Sequence, residues 1–385
     1  MTSKAFEIQF TNTNNHSYFC EKEQQQSMST IHKIKVSEII KETEDCVSVS
    51  FDIPSGLHKL FSYLPGQYLT LEADIDGEKV RRSYSLCSAP HENKWKVAVK
   101  KVPQGKFSTY ANDVLKAGDE LSVMSPMGNF KLQCNAENDN HYVSFAAGSG
   151  ITPMLSMIKE VMETEPKSQF TLFYGNKNTE SIIFREEIEG IKNKYLERLS
   201  VHYVLSREKL MSEIFNGRID EEKCRMYAKS FFNPAEVHSY YLCGPSQMIF
   251  AVRDTLKDLE VNESNIKFEL FTTDDMPTDQ KHIAEIAEVD RGKMSAVKVT
   301  VDGVSFDFDL AYDGENVLDA SLGYGADLPF ACKGGVCCTC KAKLVKGEVV
   351  MDVNYTLEPD EIEAGYILSC QSHPRTESIE VDFDV

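Results

Sequence analysis

Near its C-terminal end the chain reads Cys332-Lys333-Gly334-Gly335-Val336-Cys337-Cys338-Thr339-Cys340, and a further cysteine follows at Cys370. Cys332, Cys337 and Cys340 have the spacing C-x4-C-x2-C, and 29 residues separate the third from Cys370. This is the ligand spacing of a plant-type [2Fe–2S] cluster, in which three thiolates come from one loop and the fourth from a distant strand. The pattern predicts that these four cysteines bind two irons.

Two other uses of clustered cysteines have to be weighed, namely a zinc site and a redox dithiol. A zinc ribbon usually carries two C-x2-C pairs, and Cys370 has no close cysteine neighbour. Cys338 lies inside the loop but outside the ligand spacing. Gly334 and Gly335 would let the loop backbone pass close to the inorganic sulfides. The spacing therefore favours the iron–sulfur cluster over the zinc site and the dithiol.

The charge of the chain excludes several classes of partner. The 385 residues carry 60 acidic and 41 basic side chains, a net charge of −19, which disfavours nucleic acid and anionic membranes. From residue 294 to residue 385 we count 17 acidic and 6 basic side chains, a net of −11. This asymmetry predicts a separate acidic module that docks transiently on a basic surface of a redox-acceptor protein.

Cysteine usage and hydropathy bear on the compartment. The 11 cysteines are an odd number, and five of them crowd the C-terminal region, so they do not form a disulfide framework. Thiolate ligands need a reducing compartment. No run of 18 apolar residues and no secretory signal is visible, so we expect no membrane span and a cytoplasmic location.

The pattern of apolar runs predicts several domains. Polar residues 1–27 are expected to form a disordered tail, and Met28 is a possible true start. Short β-rich runs across 28–136 predict an antiparallel β-barrel, and alternating strands and helices across 137–271 predict a doubly wound parallel α/β sheet. Residues 272–293 have the composition of a linker, and strands return in 294–385.

The predicted barrel carries three ordered motifs. Pro65-Gly66-Gln67-Tyr68 precedes Arg82-Ser83-Tyr84-Ser85, and Gly105-Lys106-Phe107-Ser108 follows. The set resembles the ferredoxin–NADP reductase superfamily, whose barrel binds FAD. The resemblance implies that Arg82 pairs with the pyrophosphate, Tyr84 packs on the isoalloxazine ring and Ser85 hydrogen-bonds near flavin N5. It places Gly105, Lys106 and Ser108 along the diphosphate or ribityl chain. Taken alone, Arg82 could equally be a surface charge and Tyr84 a half-buried strand aromatic.

Two turns in the α/β region match the NAD(P) motifs of the same superfamily. The first, Gly148-Ser149-Gly150-Ile151-Thr152, follows an apolar strand and opens a helix, where amide groups and the helix dipole suit a diphosphate. The cofactor-binding candidates are Gly148, Ser149, Gly150 and Thr152. The second turn is Cys243-Gly244-Pro245, and the resemblance puts Cys243 beside the nicotinamide C4. The alternative for Cys243 is a small buried apolar residue.

Three further candidates come from the ends of later strands. Ser206 and Arg207 could hold a 2′-phosphate, which favours NADPH, although Glu208 follows directly and keeps NADH possible. In the superfamily Glu and Phe lie near the flavin edge, which implies this position for Glu269 and Phe271; the alternative for Phe271 is a core position. The catalytic candidates are thus Ser85, Cys243 and Glu269.

The order of flavin, nicotinamide and ferredoxin regions resembles the reductase components of multicomponent oxygenases, with an α+β β-grasp plant-type ferredoxin domain at 294–385. The segment 347–374 resembles the reductase subunits of phenylacetyl-CoA epoxidases. The resemblance implies that electrons pass from NADPH through FAD and the cluster to an oxygenase. Alternatives are a general reductase for a steroid hydroxylase, a desaturase or a hybrid-cluster protein, and a redox-sensing binding module.

Overall fold

The computed structural model describes residues 31–271 and 292–385. The predicted N-terminal tail 1–27, with the possible start at Met28, lies outside the described residues. So does the predicted linker 272–293, apart from its last two residues. Across the described ranges, no helix combines the length and the apolar character needed to cross a membrane.

The first unit is an antiparallel barrel. Its sheet order is β4-β3-β6-β1-β2-β5, and an antiparallel bridge between Leu86 and Val97 joins its two ends. Alternation explains the strands: in β2, Val47, Val49 and Phe51 enter the core while the intervening positions do not. The predicted barrel is confirmed. Its elements are β1 Ile31–Thr43, β2 Cys46–Asp52, β3 Tyr68–Ile75, β4 Glu78–Ser85, β5 Trp95–Lys100, α1 Lys106–Asp113 and β6 Glu120–Met124.

The second unit is a parallel sheet with the order β11-β10-β7-β8-β9, which confirms the predicted doubly wound fold. The chain leaves the central strand β7 in one direction to β8 and later returns on its other side at β10. Ligands of such folds bind where the strand order reverses, at the carboxyl ends of the strands. The elements are β7 His141–Ala147, α2 Ile151–Thr164, β8 Gln169–Asn176, α3 Arg185–Lys194, β9 Leu199–Leu205, α4 Glu221–Ser230, β10 Ser239–Cys243, α5 Ser246–Asp258 and β11 Ile266–Glu269.

The third unit is a mixed sheet with the order β13-β12-β18-β14-β16, in which β12 and β18 are parallel. Helix α6 contributes Val317, Leu318 and Ala320 to its core. This is the predicted β-grasp ferredoxin fold. The elements are β12 Met294–Val301, β13 Val304–Ala311, α6 Val317–Gly323, β14 Lys341–Lys346, β15 Val349–Met351, α7 Pro359–Glu363, β16 Tyr366–Leu368, β17 Ser372–Pro374 and β18 Ser378–Asp382.

The barrel and the parallel sheet share one buried core. Phe130 and Leu132, which follow the last barrel strand, pack in the same cluster as Met154 and Met157 of α2. Ser156 Oγ donates a hydrogen bond of 2.6 Å to the carbonyl oxygen of Ser88. This continuous packing sets the end of β4 against the carboxyl ends of β7 and β10.

Candidate functional site

The three predicted catalytic residues meet where the barrel contacts the parallel sheet. Ser85, the last residue of β4, donates a hydrogen bond of 3.1 Å to Glu269 Oε2. Glu269 is paired in register with Cys243 on the neighbouring strand β10. The Cys243 side chain has no accessible surface. The site therefore combines one group from the barrel with two from the sheet.

Burial controls the protonation of the Glu269 carboxyl and the Cys243 thiol. Glu269 keeps some accessible surface, yet the loss of water around its carboxyl raises its pKa to about 8, against a smaller lowering by the Ser85 hydroxyl. Burial also raises the pKa of the Cys243 thiol, and the nearby Glu269 adds to the shift. At neutral pH the arrangement holds a carboxyl that can carry a proton next to an uncharged thiol.

The glycine-rich turn contacts the end of β10 directly. A Cβ atom on Gly150 would lie 2.1 Å from the carbonyl oxygen of Cys243, so only glycine allows the two turns to touch. Helix α2 begins at Ile151, and Gly244 and Pro245 lead into α5. Both predicted nicotinamide motifs are thus brought to one edge of the sheet.

Side-chain hydrogen bonds fix the shape of the first turn. Thr152 Oγ1 donates to the Ser149 carbonyl at 3.0 Å, and the Tyr174 hydroxyl donates to the Gly148 carbonyl at 3.0 Å. The first amides of a helix lack helical acceptors, so the start of α2 offers donors to an anion. The turn fits the diphosphate of a nicotinamide dinucleotide. The Thr152 hydroxyl itself stabilises the turn by its hydrogen bond to the Ser149 carbonyl.

Ser206 and Arg207 lie in a surface pocket of about 250 Å³ that Glu208, Lys209 and Asn216 also line. The Glu208 carboxylate accepts hydrogen bonds of 2.7 and 2.8 Å from the backbone and hydroxyl of Thr179, which lower its pKa. Glu208 therefore has a partner of its own, while two cationic side chains line the pocket. This donor set fits a phosphate better than a 2′-hydroxyl.

The predicted flavin residues occupy one side of the barrel. Arg82 is exposed, and Lys106 contacts Glu78, whose pKa Lys106 and Arg82 both lower. The Tyr84 ring lies 5.5 Å from the Phe107 ring. The cations and the half-buried aromatic surface have the chemistry that a dinucleotide with a flat ring requires.

The remaining candidates for the flavin site are Gly105, Ser108 and Phe271. Gly105 precedes α1, and Ser108 Oγ donates to the Gly105 carbonyl at 3.2 Å and accepts from the Val102 amide at 3.2 Å. The Ser108 hydroxyl therefore stabilises the start of the helix. Phe271 is 40% exposed and lies two residues beyond Glu269. An aromatic ring at this place is available to cover a ligand bound beside Ser85.

The four predicted cluster ligands form two pairs. Cys332 Sγ and Cys337 Sγ are 3.1 Å apart, and the side chains of Cys340 and Cys370 contact each other in the same way. Within residues 31–271 and 292–385, no three His, Cys, Asp or Glu side chains are grouped as a single metal ion requires. Two cysteine pairs, with three thiols from one loop and the fourth from Cys370 beyond β16, fit two irons rather than one zinc.

Donors around the sulfurs favour negative charge. The Gly334 amide donates to Cys332 Sγ at 3.3 Å, and Gln371 Nε2 donates to Cys370 Sγ at 3.4 Å. The pKa of Cys332 is lowered to about 6, mainly by the hydrogen bond from the Cys337 thiol; burial opposes this shift, and backbone amides of the loop add to the lowering. Gly335, at φ +71°, has a conformation that other residues rarely adopt. The loop fits a thiolate-bound cluster.

The contact between the barrel and the cysteine loop was missed by the sequence reasoning. Tyr68 and Arg81, on β3 and β4, reach the ferredoxin unit through hydrogen bonds. Alternation of Tyr68, Thr70 and Glu72 with Leu69 and Leu71 could have indicated an outer polar face on β3. Nothing in the sequence identified what that face would contact.

Models of three protein families match the chain in the order of its three units. Residues 33–132 match the oxidoreductase FAD-binding domain, 145–254 the oxidoreductase NAD-binding domain, and 299–375 the 2Fe-2S iron-sulfur cluster binding domain. FAD, a nicotinamide dinucleotide and a [2Fe–2S] cluster are therefore the cofactors of this chain.

Curated relatives align over almost the whole chain. One of the subunits of 1,2-phenylacetyl-CoA epoxidase from Escherichia coli (strain K12) is 43% identical over 93% of this chain and 99% of its own length. The ferredoxin reductase component of 3-ketosteroid-9-alpha-monooxygenase from Rhodococcus rhodochrous is 31% identical over 91% of this chain and 96% of its own length.

A solved structure shares the arrangement of the three units. Phthalate dioxygenase reductase, described as a modular structure for electron transfer from pyridine nucleotides to [2Fe–2S], is 23% identical with a TM-score of 0.55, over 91% of this chain and 98% of that one. This likeness supports the fold. The family models and the curated relatives lead to one conclusion: the chain belongs to the family of flavin- and [2Fe–2S]-containing reductase components of oxygenases.

Proposed function

We propose that this reductase takes electrons from NADPH and delivers them to the oxygenase part of a phenylacetyl-CoA epoxidase. The observation that carries the proposal is the meeting of Ser85, Cys243 and Glu269 at the junction of the flavin and nicotinamide units, in a chain that also holds two paired cysteine ligand sets. FAD accepts two electrons as a hydride and releases them singly, which links nicotinamide to iron–sulfur chemistry.

The chain's own residues would orient the two dinucleotides. The amides at Gly148–Gly150 and the start of α2 bind the nicotinamide dinucleotide diphosphate, and Arg82 and Lys106 bind that of FAD. Cys243, at the carboxyl end of β10, would lie beside the C4 atom of a nicotinamide that faces Ser85. Its uncharged thiol excludes water without adding charge. Tyr84 and Phe271 supply aromatic surfaces for the flavin ring.

Ser85 and Glu269 would hold the proton at the reacting centre. With a pKa of about 8, the Glu269 carboxyl is protonated at neutral pH and can exchange a proton with the Ser85 hydroxyl at 3.1 Å. A neutral carboxyl also leaves the site free of a charge that would oppose the negative dinucleotides. Both residues are therefore proposed to act in catalysis.

Four thiolates would hold the cluster, with Cys332 and Cys337 on one iron and Cys340 and Cys370 on the other. The pairing follows the short contacts within each pair. Such clusters have potentials near −400 mV. The free thiols of the ten described cysteines agree with a reducing compartment, and we propose the cytoplasm.

The pocket at Ser206 supports NADPH over NADH as the donor. Arg207 and Lys209 supply cations for a 2′-phosphate, and Glu208 is held by Thr179. Replacing Arg207 by Ala is expected to raise the KM for NADPH about tenfold or more and leave that for NADH within about twofold. Equal effects on the KM values for NADPH and NADH would argue for NADH as the electron donor.

The relatives favour an epoxidase as acceptor over a steroid monooxygenase, because the identities are 43% and 31%. The test mixes the reconstituted reductase and NADPH with the oxygenase subunits of a phenylacetyl-CoA epoxidase and, separately, with the oxygenase component of 3-ketosteroid-9-alpha-monooxygenase. We expect turnover of phenylacetyl-CoA at a rate at least about tenfold above that of the steroid system. Support of the steroid system alone would favour the general reductase.

A further inference from the structure

The outer face of strands β3 and β4 meets the cysteine loop. The antiparallel register pairs Tyr68 with Ser85 and Glu72 with Arg81, so these four side chains lie on one face of the hairpin. The alternate residue Leu69 points into the barrel core and has no accessible surface. The same face thus carries Ser85 of the catalytic group and the residues that contact the ferredoxin unit.

Tyr68 contacts the part of the loop that lies between the cluster ligands Cys337 and Cys340. Its hydroxyl oxygen accepts a hydrogen bond of 3.2 Å from the Cys338 amide and lies 3.1 Å from Thr339 Oγ1 and 3.4 Å from Cys338 Sγ. The ring is 4% exposed. Cys338 and Thr339 separate Cys337 from Cys340 in sequence, so one hydroxyl holds the piece of loop that joins the two cysteine pairs.

Arg81 holds the segment just before the loop. Its guanidinium donates to the Leu328 carbonyl at 3.0 Å and to Asp327 Oδ1 at 3.2 Å, and it lies 5.0 Å from the centre of the Phe330 ring. Glu72 pairs with the same guanidinium from the neighbouring strand. Arg81 therefore anchors the ferredoxin unit independently of the hydroxyl, and a change at Tyr68 is not expected to release the unit as a whole.

We propose that Tyr68 is a positioning residue for electron transfer inside this chain. Its hydroxyl sets the loop that carries the cluster against the strand pair that carries Ser85. The inference rests on the proposed function, because it requires a flavin beside Ser85 and a cluster on the four cysteines. In the step concerned, one electron leaves the reduced flavin, which is oxidised, and enters the cluster, which is reduced; no bond forms or breaks.

The direction of the effect follows from distance. Electron transfer slows as the two centres separate, and productive geometry at a site can be disturbed by a substitution outside it. Loss of the hydroxyl leaves the buried Cys338 amide without its acceptor, so the loop must shift to find another. Flavin reduction by NADPH is proposed to involve Ser85, Cys243 and Glu269, and the hydrogen bond between Ser85 and Glu269 does not involve the Tyr68 hydroxyl.

The test compares Tyr68→Phe with Tyr63→Phe in the reconstituted holoenzyme. Tyr63 is a buried tyrosine of the same barrel whose hydroxyl bonds only to Ser88 and Lys94, according to its described contacts. Stopped-flow absorbance separates flavin reduction from cluster reduction. Hydrogen–deuterium exchange of the peptide spanning 332–340 and the iron content serve as readouts that do not depend on activity.

We expect Tyr68→Phe to keep its iron and to reduce flavin within about twofold of the unchanged protein, while cluster reduction slows about tenfold or more and exchange in the loop rises. Tyr63→Phe should change neither quantity. Unchanged cluster reduction in Tyr68→Phe, loss of iron, or equal slowing of both steps would overturn the inference. If the unchanged protein itself passes no electrons from NADPH to the cluster, the proposed function fails instead.

Discussion

Burial at the site strongly raises the pKa of the Glu269 carboxyl. Its pKa rises from 4.5 to about 8, so between these values the folded chain binds more protons than the unfolded chain. The contribution of this group to stability is therefore present below about pH 4.5 and is lost progressively as the pH rises to about 8. A glutamine amide in place of the Glu269 carboxyl cannot ionise, and it therefore removes this pH-dependent loss of stability.

We expect Glu269→Gln to unfold at a higher temperature than the unchanged protein, by a margin that grows from about pH 5 to about pH 8 and then stays level. Thermal unfolding of the cofactor-free protein across this range measures the margin. Glu208→Gln, which changes an exposed carboxylate with a lowered pKa, should show no such growth above about pH 6. A constant margin for Glu269→Gln would mean that the carboxyl is ionised at neutral pH.

Cys340 and Cys338 differ in their expected roles although one residue separates them. Cys340→Ser should abolish the visible absorbance and iron of the cluster while NADPH-driven ferricyanide reduction through the flavin stays within about twofold. Cys338→Ser should retain the iron, because this thiol contacts Tyr68 and has no place in the two ligand pairs. Loss of both activities in Cys340→Ser would contradict the separation of the two redox units.

Among single residues, the sequence predicted those whose chemistry depends on a fixed spacing or on a family motif. The cysteine spacing and the Arg82–Ser85 motif are such patterns, and the structure brings Ser85 to Glu269 across 184 positions of the chain. The outward contacts of Tyr68 and the burial of Arg81 depend on which unit packs on β3 and β4. No local signal in the sequence specifies that packing.

Gly150 shows how two elements depend on one missing side chain. A methyl group there would collide with the carbonyl oxygen of Cys243, so Gly150→Ala must push the turn away from the end of β10. We expect this variant to lose roughly 1–3 kcal/mol of stability and to raise the KM for NADPH at least about tenfold.

The matched control for that variant is Gly190→Ala. Gly190 lies in helix α3, where an added Cβ meets nothing within 4 Å. Alanine there should stabilise the helix by about 0.5–1 kcal/mol and leave the KM for NADPH unchanged. Steady-state kinetics and thermal unfolding of both variants provide the measurement. A normal KM in Gly150→Ala would show that the contact of the two turns does not shape the nicotinamide site.

Elements were predicted well where their periodicity was clear. The short β-rich runs expected across 28–136 are observed as strands β1 to β6, and the helix expected to open at the glycine-rich turn is observed as α2 Ile151–Thr164. Hydrogen bonds from Thr152 and Tyr174 stabilise the shape of that turn. The bond from Tyr174 to Gly148 joins residues 26 positions apart, and for that reason periodicity alone did not reveal it.

The whole molecule combines an acidic ferredoxin unit with two cofactor-binding units that share a core. With a net charge of −11 on residues 294–385, encounter with a basic acceptor should be accelerated by electrostatic attraction. We expect kcat/KM for the oxygenase to fall about tenfold between about 20 and about 500 mM salt, while cluster reduction by NADPH within the chain changes little. Equal salt sensitivity of both would argue against docking by charge.

The relative placement of the three units was beyond prediction from the sequence. Their order along the chain was readable from the motifs, but the contact of Tyr68 with Cys338 spans 270 positions and joins a barrel strand to a loop. Such a contact is set by the complementary surfaces of two folded units. Together with the contacts of Arg81, it holds the ferredoxin unit against the strands that carry Ser85.

The most direct test of the account is an anaerobic titration of the reconstituted protein with NADPH, followed by absorbance for the flavin and by low-temperature electron paramagnetic resonance for the cluster. We predict that NADPH reduces the flavin and that the reduced-cluster signal then grows, whereas Cys340→Ser shows the flavin change alone. Reduction of the flavin with a cluster that stays oxidised, although dithionite reduces it, would contradict the transfer of electrons from flavin to cluster in this chain.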